Sequence, residues 1–593
     1  MNSKIQERLQ QLRKLMKEEG LNAYLINGSD PHMSEYVPER WQTRAWISNF
    51  TGSFGWLAIT ADKAALWTDS RYYLQAGQQL DGTGFVMMKA RVPDAISLED
   101  WLASELNEGE TVGFDGSCYP LAEVKSFEKK WAALGIKIES AIDLPEKAWT
   151  DRPALSDAKA FMHPLEWAGK TRREKITEIN EKLQQAGAEI TVLTALDDLG
   201  WTFNIRGADV ECNPVVLAFA IIGKGLTKLF VDGSKFSADD WKELKNDGVD
   251  VFDYALFYDH LRQIKGKKVL VDPARTNYEA GRILAEKNQL IEQLSIPQLL
   301  KSVKIKAEIE GMKKAHVTDG LALLDFQLWL EEALLNSKVT EYDVALQLAE
   351  FRAKRFGYVG TSFFPIVGYR DHGAIVHFRV SSETANVLEP EGILLFDSGG
   401  QYQFGTTDIT RTIALGAVSN EMKRDFTLVL KGMIKLSKIR FPKGTIGCHL
   451  DVLAREALWN EKLNYGHGTG HGVGAFMNVH EGPGSIRPDL NSIPLQPGNI
   501  FSNEPGMYRE GKYGIRTENL ILVVEDEENE FGSFMRFETL TRYPIDTRLV
   551  DKRLLSDDEI KWLNQYHQDV LSSLSPFTNS EEFKLLKRLT QAI

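Results

Sequence analysis

Leu9, Leu12, Met16 and Gly20 are spaced 3, 4 and 4, and Ile176, Ile179, Leu183 and Gly187 repeat that spacing. Apolar residues so placed form one stripe of an α-helix, and a glycine just beyond it supplies a left-handed C-cap. Each stripe leads into a short apolar strand, Ala23 to Ile26 and Ile190 to Leu193. The echo continues: AALWTDSRY around Asp69 returns as KLFVDGSKF around Asp232, and Trp46-Ile47-Ser48-Asn49 returns as Trp201-Thr202-Phe203-Asn204. Helix–glycine–strand is a common α/β unit, but several matches in one order at a similar offset favour a duplicated domain. At 593 residues the chain is in any case too long for a single core. About 150 residues per domain gives three or four domains.

The copies are separated by LPEKAWTDRPALSDAKAF, which has two prolines and little periodicity and reads as a linker. A second break falls near SIPQLLKSVKIKAEIEGMKKAH, followed by helical pattern over Glu308 to Ser337 and Glu341 to Phe356. From about Gly357 the texture changes to strands and glycine turns: AIVHFRV, GILLFDSGG, TRTIAL, NIFSNEPG and NLILVVE. After Arg542 it returns to helix, including DDEIKWLNQYHQDVLSSL. The expected boundaries are 1–150, 151–305, 306–540 and a helical appendage over 541–593.

Composition narrows the function classes. A hydrophobic content of 43% with 26% charged residues is that of a soluble globular enzyme. The net charge of −13 argues against nucleic acid or an anionic membrane as the main partner. Cys118, Cys212 and Cys448 lie far apart without metal-site spacing, as expected of thiols in a reducing compartment. The start, MNSKIQERLQQLRKLMKEEG, has no apolar h-region, and no run of about 18 apolar residues occurs. A cytoplasmic location is expected.

Five potential metal ligands follow in order along the C-terminal half, each in its own motif. They are Asp397 (LLFDSGG), Asp408 (TTDITRT), His471 (GHGTGHGVG), Glu504 (FSNEPGMY) and Glu518 (GIRTENL). An Asp beside glycine is usually a turn residue, but TTDITRT favours strand, where an Asp needs a partner. The alternating glycines around His467 and His471 exclude helix and allow close approach of backbone to a ligand. A phosphate-cradling loop is disfavoured there, because the P-loop lysine is missing. Four carboxylates and one imidazole, without thiolate, suit two hard divalent cations roughly 3.5–4 Å apart and hence metal-assisted hydrolysis.

The motifs GAIVHFRV, FDSGG, TTDITRT, YGHGTGHGVG, VHEGP, SNEPGMY and GIRTEN resemble the creatinase/methionine-aminopeptidase ("pita-bread") metallopeptidase family, and within it the Xaa-Pro aminopeptidase branch. ISNFTGSFG, LWTDSRYYLQAG and WTDRPALS extend the resemblance over nearly the whole chain. It implies an α/β and α+β multidomain fold: two tandem creatinase-like N-terminal α/β domains, a pita-bread α+β catalytic domain and a helical C-terminal appendage. It implies that Asp397, Asp408, His471, Glu504 and Glu518 bind two metals, usually manganese. His377, His467 and His480 would then contact substrate and stabilise the transition state, with Glu504 as proton shuttle. The substrates would be peptides with proline second, the enzyme a homodimer, and Phe363-Phe364-Pro365 a candidate for the proline pocket. The sister activities are prolidase, which usually has one N-terminal domain, and methionine aminopeptidase, which usually lacks two. Metal-free creatinase and a non-catalytic binding protein on this fold have no reason to retain the complete ligand set.

Overall fold

The computed structural model describes residues 2–90, 92 and 94–593. The chain forms two compact units, Met1–Met162 with Lys170–Pro297 and His163–Gly169 with Gln298–Ile593.

In the first unit α1 (Asn2–Glu18) buries Ile5, Leu9, Leu12 and Met16 against Tyr24 and Ile26. Its sheet has strands β1 (Ala23–Ile26), β2 (Trp56–Thr60), β3 (Ala64–Thr68), β4 (Val86–Lys89), β5 (Thr111–Gly113) and β6 (Lys137–Glu139), in the order β4-β3-β2-β1-β5-β6. The short helix α2 (Thr43–Ser48) follows β1. The second copy has α3 (Arg172–Gln185), β7 (Ile190–Leu193), α4 (Leu196–Phe203), β8 (Ala218–Gly223), β9 (Leu226–Val231), β10 (Asp250–Phe252), β11 (Lys268–Val271) and β12 (Gln289–Glu292). Its order is β10-β9-β8-β7-β11-β12, and successive pairs run parallel, antiparallel, antiparallel, parallel and parallel, as in the first sheet.

The sequence echoes fall at equivalent places. Gly20 and Gly187 have φ of 70° and 71°, with open space where a Cβ would lie, so backbone conformation alone selects glycine. Asn49 and Asn204 end α2 and α4 in the left-handed region. Asp69 and Asp232 each accept a backbone N–H two residues on, just after β3 and β9. In the stretch read as linker, Leu144–Ala148 forms a helix, because Asp143 caps it and Pro145 fits its first turn.

The second unit opens with α5 (Lys306–Asn336) and α6 (Glu341–Ala353), close to the expected helices. Strands β13 (Ile366–Tyr369), β14 (Ile393–Ser398) and β15 (Ile409–Ala414) form an antiparallel sheet in that order. Helices α7 (Asn420–Lys438) and α8 (Cys448–Asn460) flank β16 (Arg440–Pro442). Then come β17 (Gly470–Gly472), β18 (Glu481–Ile486), β19 (Ile500–Asn503), β20 (Gly506–Arg509), β21 (Tyr513–Arg516), β22 (Asn519–Asn529) and β23 (Gly532–Thr539). Six of these form a sheet of order β16-β23-β22-β19-β17-β18, while β20 and β21 pair as a hairpin. Helices α9 (Asp557–Leu574) and α10 (Ser580–Leu589) put Leu563, Val570, Leu574 and Leu586 into one apolar cluster with Leu324 and Phe326 of α5 and Phe396 of β14.

One expected strand is absent. AIVHFRV, residues 374–380, begins on the last residue of a 3-10 turn over Arg370–Ala374 and continues as loop, from which Arg379 alone bridges back to Ile366. Two contacts from elements distant in sequence hold the turn that leads into it. His372 Nδ1 sits 2.8 Å from the buried Glu341 carboxylate, and Gly373 presses onto the Gly514 backbone.

Candidate metal centre

Asp397 lies on β14 opposite Thr410 of β15, so both side chains share one face. Asp408 falls two residues before Thr410, just outside β15 and not within a strand as TTDITRT suggests. The Glu518 N–H donates to the Thr410 carbonyl at 3.1 Å, which brings the end of the six-stranded sheet onto β15. Asn503 pairs Asn519 at that end, so Glu504 and Glu518 emerge side by side from β19 and β22. The Glu504 N–H donates to the Thr469 carbonyl at 2.8 Å and draws in the glycine-rich segment that carries His471.

The ligand atoms of Asp408, His471 and Glu518 all lie within 4.8 Å of one another. His471 Nδ1 is 2.9 Å from the Gly472 carbonyl, which can only accept, so the proton sits there. Its Nε2 faces Asp408 Oδ2 at 3.4 Å and Glu504 Oε1 at 3.6 Å. Arg516 NH2 donates to Asp397 Oδ2 at 2.7 Å, and its Nε lies 4.0 Å from Glu504 Oε2. Asp397 Oδ1 and Glu518 Oε1 are buried without a hydrogen-bond partner.

Electrostatics follow from that crowding. Burial, and then Asp408, push Asp397 up to about 6 against the pull of Arg516. Burial raises Glu504 to about 7, opposed by His471 and Arg516 and reinforced by Asp408 and Asp397. Glu518 is driven well above the carboxylate range by burial and by Asp408, Glu504 and Asp397. For His471 burial works downward, but Asp408 and Glu504 outweigh it and lift the imidazole to about 9. Four carboxylates thus converge on one arginine and one histidine, with two oxygens unused. Divalent cations fit this arrangement on charge, on hard oxygen donors and on the unpartnered oxygens.

The accessory histidines fall at different places. The His480 ring meets that of His471 edge-on, with centroids 4.3 Å apart. His467 Nδ1 donates to the Gly468 carbonyl at 2.8 Å, so Nε2 accepts from the Tyr508 hydroxyl, also at 2.8 Å. His377 lies half-buried on a turn closed by the Phe378 N–H donating to the Ile375 carbonyl. Two residues later Arg379 bridges Ile366, whose partner on its other side is Asp397. Phe363 is buried, and Phe364 lies beneath the Arg379 guanidinium at 3.9 Å.

Sequence reasoning passed over Arg516, Tyr508, Thr410 and Ser502, although each stands in a quoted motif. Thr410 donates to Glu518 Oε2 at 2.9 Å, and Ser502 accepts from the His471 N–H and donates to Glu504 Oε1. Arg516 NH1 donates to the Tyr508 hydroxyl at 2.7 Å. No spacing marked them: Arg516 is the last residue of β21 and meets Asp397 only through the fold.

Residues 310–525 match Metallopeptidase family M24, and 533–593 match the C-terminal region of that peptidase family. Residues 8–144 and 151–308 each match the Creatinase/Prolidase N-terminal domain. The chain is 37% identical over 615 residues to a probable Xaa-Pro aminopeptidase P of Paracoccidioides brasiliensis, covering 99% of both. It is 38% identical over 613 residues to aminopeptidase P2 of Arabidopsis thaliana, covering 96% of this chain and 86% of that one. Among solved structures it is similar to the X-prolyl aminopeptidase of Caenorhabditis elegans, described as a cytosolic enzyme with a di-nuclear active site. That match has a TM-score of 0.94, 34% identity, and covers 99% of this chain and 100% of that one. A prolidase from Thermococcus sibiricus, 23% identical over 63% of this chain with a TM-score of 0.51, shares the fold alone. A match maintained from the first sheet to the last helix leaves one conclusion: the chain belongs to metallopeptidase family M24, in the form that carries two creatinase/prolidase N-terminal domains.

Proposed function

We propose that this chain is a metal-dependent aminopeptidase that removes the N-terminal residue from peptides with proline in second position. The observation that carries the reading is the cluster of four carboxylates, three of them buried, around the half-buried His471, with two carboxylate oxygens unpartnered. It is supported by relatives named for that activity along 99% of the chain. Prolidase folds of the same kind cover 63% of it.

Asp397, Asp408, His471, Glu504 and Glu518 are the proposed ligands of two divalent cations, with manganese the proposed ion. When bound, such ions polarise the scissile carbonyl and acidify a water. The protein's own part is orientation and proton handling. Arg516 holds one oxygen of Asp397 and Thr410 one of Glu518, and the second oxygen of each has no protein hydrogen-bond partner. The proton on His471 Nδ1 leaves Nε2 as a donor atom. Glu504, with Oε1 held by Ser502, is the proposed carrier of the proton that passes through its carboxylate to the leaving proline nitrogen. His377, His467 and His480 are proposed to contact the substrate, where a donor would stabilise the developing oxyanion. A prolyl bond has a tertiary amide nitrogen and fixed φ, which a ring-shaped pocket near Phe363, Phe364 and Pro365 would exploit.

The proposed domains are 1–150, 151–305, 306–540 and 541–593. The proposed partners are peptides and a second copy of the chain. The proposed location is the cytoplasm, which the description of the nematode enzyme supports. Among the described residues no helix is long and apolar enough to cross a membrane. The test is release of Xaa from Xaa-Pro-Yaa and from Xaa-Pro, with and without manganese. Manganese-dependent cleavage of the tripeptide is expected; cleavage of the dipeptide alone would replace this reading by a prolidase.

A further inference from the structure

Arg379, Ile366, Asp397 and Thr410 form one row across adjacent strands. Ile366 bridges Arg379 on one side and pairs Asp397 on the other, and Asp397 pairs Thr410. Directly opposed residues of antiparallel strands project to the same face, so Arg379 shares the face of the carboxylate cluster. Two strand spacings put its Cα about 10 Å from that of Asp397. Arg379 is exposed, and its guanidinium sits over the Phe364 ring at 3.9 Å. Among the described residues it makes no ion pair and no side-chain hydrogen bond. A guanidinium stacked on a ring keeps its in-plane N–H groups free, and those groups match a carboxylate in bidentate fashion.

Resting on the proposed aminopeptidase activity, we propose that Arg379, seated on Phe364, is a specificity-determining residue that binds the free C-terminal carboxylate of short peptide substrates. The geometry gives the length. An extended peptide advances about 3.3–3.6 Å per residue. In Xaa-Pro-Yaa and Xaa-Pro-Yaa-Zaa the terminal carboxylate therefore lies roughly 7–10 Å beyond the scissile bond, the reach set by the row from Asp397 to Arg379. The carboxylate of the dipeptide Xaa-Pro stops one residue short. The row thus supplies what the metal ligands do not, a physical reason to favour tri- and tetrapeptides over dipeptides. The surrounding charge sharpens the choice. The chain carries a net −13, so an incoming peptide carboxylate gains from a cation that receives it.

The test compares Xaa-Pro-Yaa with its C-terminal amide, Xaa-Pro-Yaa-NH2, in the manganese-loaded full-length enzyme and in Arg379→Gln and Arg379→Lys. The wild type is expected to favour the acid over the amide by about tenfold in kcat/KM, expressed mainly in KM. In Arg379→Gln that ratio should fall to near one, and in Arg379→Lys it should lie between. A ratio near one in the wild type, or one that survives in Arg379→Gln, overturns the inference while leaving the aminopeptidase reading intact. A wild-type enzyme that cleaves neither peptide overturns both. General damage to the site would lower both substrates together and leave the ratio unchanged, so the ratio separates recognition from structure.

Discussion

At the scale of single residues the site depends on a division of labour within each carboxylate. Arg516 holds Asp397 Oδ2, Thr410 holds Glu518 Oε2, and the opposite oxygens, Oδ1 and Oε1, have no protein partner. Without cations this is an unfavourable arrangement, because buried like charges raise one another's pKa. Replacing one carboxylate therefore has opposite consequences with and without metal. Asp408→Ala is expected to lose activity by more than the roughly 10–100-fold typical of a residue that merely supports a ligand, and to retain less metal. Its metal-free form should melt no lower than metal-free wild type, since one of four mutually repelling groups is gone. Thr410→Val, which keeps all five proposed ligands, should fall within that 10–100-fold range. Kinetics, metal analysis and melting of both forms decide the matter: full activity or unchanged metal content in Asp408→Ala would remove it from the ligand set. The ligands were legible in sequence because each stands in its own motif. Arg516 and Tyr508 were not, because their importance comes from which charges the fold sets beside them. Local spacing carries no record of that.

At the scale of elements, legibility tracked how much of each element's burial is local. The stripe on α1, the apolar strands β1 and β7, and the glycines that end the two helices were all readable from spacing. AIVHFRV was misread because contacts from distant elements, Glu341 on α6 and the backbone at Gly514, hold His372 and Gly373 in the turn that leads into it. The docking of α9 was also outside the reach of periodicity, and it carries a testable charge effect. The Ile545 N–H donates to His567 Nε2 at 3.2 Å, so this buried imidazole must be neutral. Burial, and then Arg411, lower it from 6.5 to about 4. A depressed pKa in the folded state means that the unfolded chain takes up the proton first as pH falls. The stabilisation is therefore complete above about 6.5, declines with acidification and is gone near 4. It amounts to about 3 kcal/mol. His567→Gln keeps an acceptor for Ile545 and does not titrate. Its stability relative to wild type should rise progressively between pH 6.5 and 4; a constant difference across that range would show that His567 does not titrate with unfolding.

At the scale of the whole molecule, the same α/β layer occurs twice in the first unit, while the chemistry is gathered in the second. All five proposed ligands fall within Gln298–Ile593. Each unit also encloses apolar clusters of its own: Leu12, Tyr24 and Leu66 in the first, and Leu324, Phe396 and Leu574 in the second. Units with separate cores are the natural cooperative blocks of unfolding. A cation that binds only the folded state stabilises only the block that holds it, by RT ln(1 + [L]/Kd). Calorimetry of the full-length protein is therefore expected to resolve two transitions after chelation. Titration with manganese should move one of them upward, by roughly 3 kcal/mol at a free concentration a hundredfold above Kd, and leave the other in place. In Asp408→Ala the mobile transition should respond weakly or not at all. A single transition that moves as a whole would show that the two units unfold as one block. Two transitions that both ignore manganese would place the metal, and with it the proposed chemistry, outside the cluster of Asp397, Asp408, His471, Glu504 and Glu518.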